Sequence, residues 1–445
     1  MDVFMIGNGF DLHYCLPTTY TCFLRTVENI CKRLASGEQL TSVAQIISDP
    51  ELHSIDRAMK RCFDTYGSSY DAEIDPSQVD KIFRHAEHNM WFSYLLNSFA
   101  PEKGWIDFEQ EIGKVIAVIT SSMENYERVG DPSKINLIVD AVDTNTNRVL
   151  QYFKCFYDEN NVHQGFYRDA AGNTISEGYA YPVLREYIAE EPYGSKNYTI
   201  SLSNLSESLF TSLQELVNML AAYLSFFVDR PVARLIKKNQ FKKDEMLCNW
   251  KWRDSTVVSF NYTHTLEQLY YASQNPIKDV FYIHGELSNP KRQNSGNLVL
   301  GINADKSDNL DQVDVTFLPF KKYYQRAFHR TDLPYISFLS KYTPDELHEN
   351  FYNLYVIGHS LDITDQEVIR DCFSRAITIH IFYYSPSDLS TKISNLVKIY
   401  KKNGFDELRT KKNLQFHPID TLKEAEPFPS KPFPMPPPPI VWNIK

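Results

Sequence analysis

This chain of 445 residues lacks the features that identify several common protein classes. Its seven cysteines are scattered, odd in number and never form a C-x-x-C pair, which argues against a zinc ribbon or a disulfide framework and fits a reducing compartment. The basic surplus of a dedicated nucleic-acid binder is also missing, because the formal net charge is −10. A nucleic-acid partner is therefore not expected.

Long apolar runs are absent as well. The longest run, residues 219–224, is far shorter than the roughly 20 residues that span a bilayer. The opening Met1-Asp2-Val3 has no basic flank and is not followed by the apolar segment of a signal peptide. We therefore expect a soluble, cytoplasmic protein without a membrane partner.

The composition that is present is that of a globular protein, with 43% hydrophobic and 14% aromatic residues. After residue 254 the sequence changes to short, β-branched and aromatic segments, whose near-continuous apolar character predicts strands of a sheet covered on both faces. The predicted strands are residues 256–260, 279–283, 297–302, 354–357 and 377–384. The predicted helices, from apolar spacing, include residues 20–36, 209–227, 361–375 and 388–402.

The chain is longer than one core usually grows, so we expect more than one structural unit. We predict an α/β nucleotide-binding domain formed by residues 1–20 and 250–420. A large, mainly α-helical insertion, residues 21–249, interrupts it. Residues 421–445 are predicted to be an extended, proline-rich C-terminal tail.

The first predicted strand runs directly into Gly7-Asn8-Gly9-Phe10-Asp11. Glycines lack Cβ, so such a turn can tighten and a pyrophosphate can bind its exposed N–H groups. The third glycine of the dinucleotide-binding motif is replaced by Leu12. The loop alone is therefore an incomplete motif, and Asp11 is also compatible with a helix cap.

Three further loops with polar residues follow predicted strands. In an open α/β sheet, the loops at the carboxyl ends of the strands line one crevice, where ligands bind. We therefore expect the polar residues of all four loops to converge, although they are far apart in sequence. The candidates in the later loops are Asn261, His284, Gly358, His359, Ser360 and Asp362.

Several side chains also have structural interpretations. His284 can bond a main-chain group at the end of its strand, and His359 can cap the following helix. Glu267 is typical of a first-turn partner of the helix dipole. Asp107 and Glu109 either brace the insertion against the site or reach the substrate.

Two other patterns resemble binding sites. His85, Glu87 and His88 have the spacing of metal ligands on a helix but lack a further ligand in view, so no metal is expected. Residues 321–330 mix basic and aromatic side chains as a phosphate-binding surface does, and a solvated helix face explains them as well.

The glycine loop is the first part of a longer pattern. Its members are residues 6–11 with 16–20, then 105–109, 259–263, 283–287 and 358–361. In this order they resemble the signature of the AbiH-type abortive-infection proteins of bacteria. The resemblance implies a role in antiphage defence, as a homo-oligomer or with a defence partner protein.

The order of the loops is also similar to that of sirtuin-like NAD-binding domains. This second resemblance implies a sirtuin-like, Rossmann-type parallel sheet, with NAD as the substrate rather than a bound cofactor. It implies ribose chemistry for Asn261 and His284. The residues that it assigns to nucleotide binding are Gly7, Asn8, Gly9, Phe10, Gly358, His359, Ser360 and Asp362.

The chain departs from sirtuins at three points. Asn8 stands where a small residue is usual, and Thr18-Thr19-Tyr20 replaces an Asp-Phe-Arg triplet. The cysteine quartet of the structural zinc site of deacetylases is missing. Deacetylation is therefore not expected, whereas hydrolysis of NAD or a related nucleotide is.

Cleavage of an N-glycosidic bond builds an oxocarbenium-like centre, which suits the candidate residues. His284 fits the role of base, Asn261 can orient a water, and Asp11 can face the developing positive charge. We therefore predict an NAD glycohydrolase that needs no metal. Two alternatives stay open: a non-catalytic nucleotide sensor that acts through a partner protein, and a nuclease, which the acidic charge disfavours.

Overall fold

The computed structural model describes residues 1–84, 86–98, 107–124, 133, 135–154, 157–165, 177–190, 198–270, 277, 279–292, 295–303, 316–340 and 352–423. Its strands are β1 (Asp2–Ile6), β2 (Asn136–Asp140), β3 (His163–Gly165), β4 (Gly178–Pro182), β5 (Ile188–Glu190), β6 (Tyr198–Ile200), β7 (Ser255–Ser259), β8 (Asp279–Tyr282), β9 (Tyr352–Ile357), β10 (Ala376–Tyr383) and β11 (Leu414–Pro418). Its α-helices are Gly9–His13, Tyr20–Ala35, Val43–Ile47, Pro50–Ile55, Arg57–Tyr66, Pro76–Phe83, Met90–Ser98, Phe108–Glu124, Thr144–Tyr152, Leu202–Leu224, Arg230–Lys237, Glu245–Cys248, Thr265–Tyr270, Lys322–His329, Leu333–Ser340, Gln366–Arg375 and Pro386–Lys411.

Six of these strands form one parallel sheet in the order β11-β10-β9-β1-β7-β8. The chain builds outward from β1 through β7 and β8, returns to the other side of β1 at β9, and continues outward to β11. This is the doubly wound Rossmann order, in which ligands bind at the carboxyl edge where the direction of winding reverses. The predicted α/β class with a Rossmann-type parallel sheet is confirmed, and the reversal point lies between β1 and β9.

The two faces of the sheet have separate hydrophobic cores because strand side chains alternate in direction. Phe4 and Ile6 of β1 belong to the larger core, which they share with Leu216 and other apolar residues of the insertion. Val3 and Met5 belong to the second core, which is covered by the helices Gln366–Arg375 and Pro386–Lys411. The insertion therefore covers one whole face of the sheet.

Most predicted strands of this sheet agree with the structure to within two residues. One predicted strand does not form, and one observed strand was not predicted. Residues 297–302 form no strand beyond a single bridge between Ile302 and Lys321, because Val299 N–H donates to His284 O at 2.8 Å and Leu300 N–H donates to Gln325 Oε1 at 3.0 Å. In contrast, β11 was not predicted. Its inward positions are the polar Gln415 and His417, so it carries no apolar pattern.

The insertion is mainly helical, as predicted, and also contains two small antiparallel sheets, β2-β4-β3 and β5-β6, which the sequence did not indicate. Its longest helical segment, Leu202–Lys237, is the one part of the described chain that is long and apolar enough to cross a membrane. Because 61% of its most apolar window is buried inside the protein, it has the character of a core helix. The predicted proline-rich tail falls mainly on residues 424–445, outside the described part of the chain.

Candidate functional site

A cavity of about 520 Å³ opens at the carboxyl edge of the sheet, at the reversal point between β1 and β9. The loops after β1, β7, β8 and β9 all contribute to its wall, so the predicted convergence of four loops is observed. The predicted site residues that line it are Gly7, Asn8, Gly9, Asp11, Asn261, His284, Gly358, His359, Ser360 and Asp362. Phe10 is the exception, because its side chain is buried in the larger core, 5.2 Å from the ring of Tyr14.

The glycines of two loops pack backbone against backbone. A Cβ on Gly7 would lie 2.6 Å from His359 Cα, and one on Gly9 would lie 2.7 Å from Gly358 O. Gly358 has a φ of +71°, and a Cβ there would overlap the main-chain nitrogen of Phe10. These glycines are needed for contact between the loops that follow β1 and β9.

The N–H groups of the first glycine loop were expected to be exposed and free to bind a phosphate. The structure contradicts this for three of them. Gly7 N–H donates to Ile357 O at 3.1 Å, and Gly9 N–H donates to Gly358 O at 2.8 Å. Phe10 N–H donates to Gly7 O at 2.8 Å. Three of the loop's N–H groups are thus already bonded within the protein, two of them to residues at the end of β9 and one within the loop itself.

Asp365 connects two histidines at the cavity wall. Its Oδ1 lies 3.0 Å from His284 Nε2, and its Oδ2 lies 3.5 Å from His359 Nε2. Lys322 and His284 hold the pKa of Asp365 well below its usual range. His359 Nδ1 accepts the N–H of Leu361 at 2.9 Å, but Asp362 caps the following helical turn, so the helix cap predicted for His359 is not observed.

His284 is neutral at physiological pH. Burial, aided by the charge of Lys322, lowers the pKa of its imidazole to about 4. With Nε2–H donating to Asp365, the lone pair is on Nδ1, which is buried and has no partner in the described part of the chain. His284 therefore presents a basic nitrogen whose tautomer is fixed by a carboxylate.

Asp11 and Asn261 provide two more polar groups. Thr263 Oγ1 donates to Asp11 Oδ2 at 2.5 Å. Burial raises the pKa of Asp11 to about 7, although the hydroxyls of Thr263 and Thr265 and the amide of Asn261 oppose the rise. Among the residues that the structure describes, neither Asp11 Oδ1 nor Asn261 Oδ1 has a hydrogen-bond partner.

The sequence did not indicate the role of Lys322. Its Nζ lies 2.7 Å from Glu109 Oε1 and 3.3 Å from Asp365 Oδ1, and the side chain is buried. Gln325 and Arg326 of the same helix are buried too, whereas Tyr323 and Phe328 are exposed, so only one side of this helix is a solvated face. The basic residues of this helix support the site from behind instead of facing solvent.

The insertion completes the cavity wall. Asp107 and Glu109 both line it, as does Tyr20, whose ring stacks on Phe108 at 4.0 Å. Burial raises the pKa of Glu109 to about 7 despite its contact with Lys322. Residues 105 and 106 of the same motif lie outside the described chain.

Beside the cavity lies the one group of described residues with metal-ligand geometry: His264, Glu267 and Glu286, whose ligand atoms lie within 4.8 Å of one another. Arg292 forms ion pairs with both glutamates, and hydrogen bonds to Asp229 and Glu286 raise the pKa of His264 to about 9 against its burial. A guanidinium thus occupies the position of a cation. Of the ligand set first suspected, Glu87 and His88 are exposed and His85 lies outside the described residues.

Comparison with known proteins gives the family. No curated protein and no solved structure matches this chain. Residues 3–384 match the sequence model of the family described as Bacteriophage abortive infection AbiH. The match spans β1 through β10 and includes every residue of the cavity wall named above. The chain therefore belongs to the AbiH family of bacteriophage abortive infection proteins.

Proposed function

We propose that this protein is a glycohydrolase that cleaves the N-glycosidic bond of NAD or a related nucleotide. Membership of the AbiH family supports a role in defence against bacteriophage, and loss of a shared metabolite would serve that role. One observation carries the proposal: His284 Nδ1, Asn261 Oδ1 and Asp11 Oδ1 are buried, have no hydrogen-bond partner among the described residues, and belong to residues that line one cavity.

The reaction follows from the charges of the groups involved. The bond between ribose C1′ and the pyridinium nitrogen breaks, and its electron pair neutralises that nitrogen, so that nicotinamide leaves. The ribose becomes an oxocarbenium ion, to which a water adds. His284 takes the proton that the water loses, for which a neutral imidazole is required.

The other two groups act on the ribose and on its charge. The ionised form of Asp11 would stabilise the positive centre at C1′, and its pKa of about 7 gives a substantial ionised fraction at physiological pH. Asn261 Oδ1 would accept a hydrogen bond from the attacking water or from a ribose hydroxyl. The Rossmann strand order and the positions of Asn261 and His284 after β7 and β8 support the sirtuin-like interpretation of this site.

The test is release of nicotinamide from NAD by the purified protein. We expect Asn261→Ala and His284→Ala each to lower the rate by about 100-fold or more. His88→Ala, which changes an exposed histidine outside the cavity, is the matched control and should retain the rate. Undiminished activity in both cavity variants contradicts the assignment, and tight binding of NAD without product supports the sensor instead.

A cytoplasmic location and a homo-oligomer or partner protein stay predictions. Fractionation of the cells that express the protein tests the first, and the mass in solution tests the second.

A further inference from the structure

The unpartnered groups at the cavity share one chemical property. His284 Nδ1 is an acceptor because Nε2 carries the proton, and Asn261 Oδ1 is an acceptor by nature. The ionised Asp11 Oδ1 is an acceptor as well. All three residues line the cavity and are more than nine-tenths buried. The ligand that satisfies them must offer donors, such as ribose hydroxyls, or a positive charge.

The charge of the cavity wall agrees with this. Five carboxyl groups line it, whereas no lysine or arginine occurs among its described lining residues. The carboxyl groups are Asp11, Asp107, Glu109, Asp362 and Asp365. Lys322 lies behind Glu109 and Asp365 and is paired with both. The N–H groups of Gly7 and Gly9 are also bonded within the protein, so the described wall offers a phosphate neutral side-chain donors, such as Ser360 and Thr391, but no cation.

We propose that the cavity recognises a cationic N-riboside, a positively charged heterocycle joined to an unphosphorylated ribose, and that phosphates on the ligand weaken its binding. The inference rests on the glycohydrolase proposed above and moves its preferred substrate from a nucleotide to the corresponding unphosphorylated nucleoside. In this arrangement the ribose hydroxyls donate to the three acceptors, and the carboxyl groups attract the heterocyclic cation. An attached mono- or diphosphate would be repelled by the same carboxyl groups.

The experiment compares nicotinamide riboside, nicotinamide mononucleotide and NAD as substrates of the full-length protein. We expect kcat/KM to fall along this series, with the riboside about tenfold or more above NAD. Added salt should lower kcat/KM for the riboside and raise it for NAD, because screening weakens both the attraction and the repulsion.

Two substitutions separate charge from structure. Asp107→Asn and Asp362→Asn remove one charge each and keep an oxygen for the main-chain N–H groups of Gln110 and Thr364, which these residues cap. Each should raise kcat/KM for NAD relative to the riboside by about threefold. Asp75→Asn changes an exposed cap away from the cavity, and the ratio should stay unchanged.

The outcomes separate the two proposals. If NAD is cleaved with the highest kcat/KM and the ratio is insensitive to Asp107→Asn and Asp362→Asn, the riboside inference is wrong and the glycohydrolase stands. If none of the three substrates releases nicotinamide while the riboside binds more tightly than NAD in calorimetry, the catalytic proposal fails and the ligand class stands.

Discussion

At the scale of single residues, the ionisation state of the cavity groups determines what they can do. Burial moves the pKa of Asp11 up to about 7 and that of His284 down to about 4. The two shifts have one cause, since the interior disfavours charge whatever its sign. The histidine thus stays a base at physiological pH, and the titration of the aspartic acid falls in the physiological range.

The first prediction concerns the pH dependence of nicotinamide release. Because the proposed reaction uses ionised Asp11, kcat should rise with pH around pH 7, well above the pKa of His284. Thr263→Val removes a hydrogen bond that lowers the pKa of Asp11, so the rise should move to higher pH by about one unit. The measurement is kcat against pH for both proteins. Thr65→Val, at an exposed helical site, should leave the profile in place.

The second prediction concerns the tautomer of His284. Asp365→Asn removes the carboxylate that accepts from Nε2–H, so Nδ1 no longer reliably carries the lone pair, and kcat should fall by about 100-fold or more. High pH should not restore it, because the ring is already neutral in the parent protein. Histidine nitrogen shifts in NMR would show the tautomer directly. Recovery of kcat at high pH would contradict this role, and Asp371→Asn, in the helix that follows Asp365, is the control.

Of the eleven site residues predicted from the sequence, ten line the cavity, because the ends of parallel strands meet at one edge. The sequence did not predict the connections among them. Asp365 follows a predicted loop residue by three positions, and Lys322 lies in a segment with no strand end nearby. Their contact depends on how the helix Lys322–His329 packs, and that packing involves polar side chains that no apolar pattern marks.

At the scale of elements, the site depends on two loops that touch through their main chains. Gly358→Ala should therefore lower the free energy of unfolding by about 3 kcal/mol, from left-handed backbone strain and overlap with Phe10. Gly37→Ala is the matched control, because Gly37 also has a positive φ but open space around it, and should cost only about 1 kcal/mol. Denaturant unfolding measures both. If both substitutions lower the free energy of unfolding by the same amount, the contact between the two loops does not contribute to stability.

Whether a strand could be predicted from the sequence depends on where it lies and what its main chain bonds to. Residues 354–357 are buried on both faces, and their continuous apolar character indicates a central strand. Residues 297–302 have the same character but bond to a loop and a side chain, which local sequence does not reveal. The small sheets β2-β4-β3 and β5-β6 consist of strands of three to five residues within a helical region, too short for a clear period-two pattern.

At the scale of the whole molecule, the insertion and the sheet share one core. Leu216 of the insertion and Phe4 of β1 belong to the same buried cluster, although more than two hundred residues separate them. The predicted boundaries at residues 20 and 250 mark where the insertion begins and ends in the sequence. Because the insertion and the sheet share one core, we expect them to unfold together.

The last prediction tests this coupling. Leu216→Ala should lower the free energy of unfolding by about 2–5 kcal/mol. The transition should shift equally for Trp91 fluorescence, which reports on the insertion, and Trp252 fluorescence, which reports on the start of β7. The chain has five tryptophans, so each signal is isolated by replacing the other four with phenylalanine. Leu333→Ala, at an exposed position, is the control and should change the free energy of unfolding little. A shift of the unfolding transition in the Trp91 signal alone would show that the insertion and the sheet are two independent units.

The central position of β1 has a consequence for biosynthesis. Its two neighbours in the sheet, β7 and β9, follow it by roughly 250 and 350 residues. At roughly 5–20 residues per second, a nascent chain waits roughly 20–70 s between completing β1 and beginning β9. The first strand has no neighbour in the sheet until β7 is made, and the cavity has no second wall until β9 is made. A nascent chain that ends before β9 therefore lacks a wall of the site, and the proposed activity can arise only after β9 has been translated.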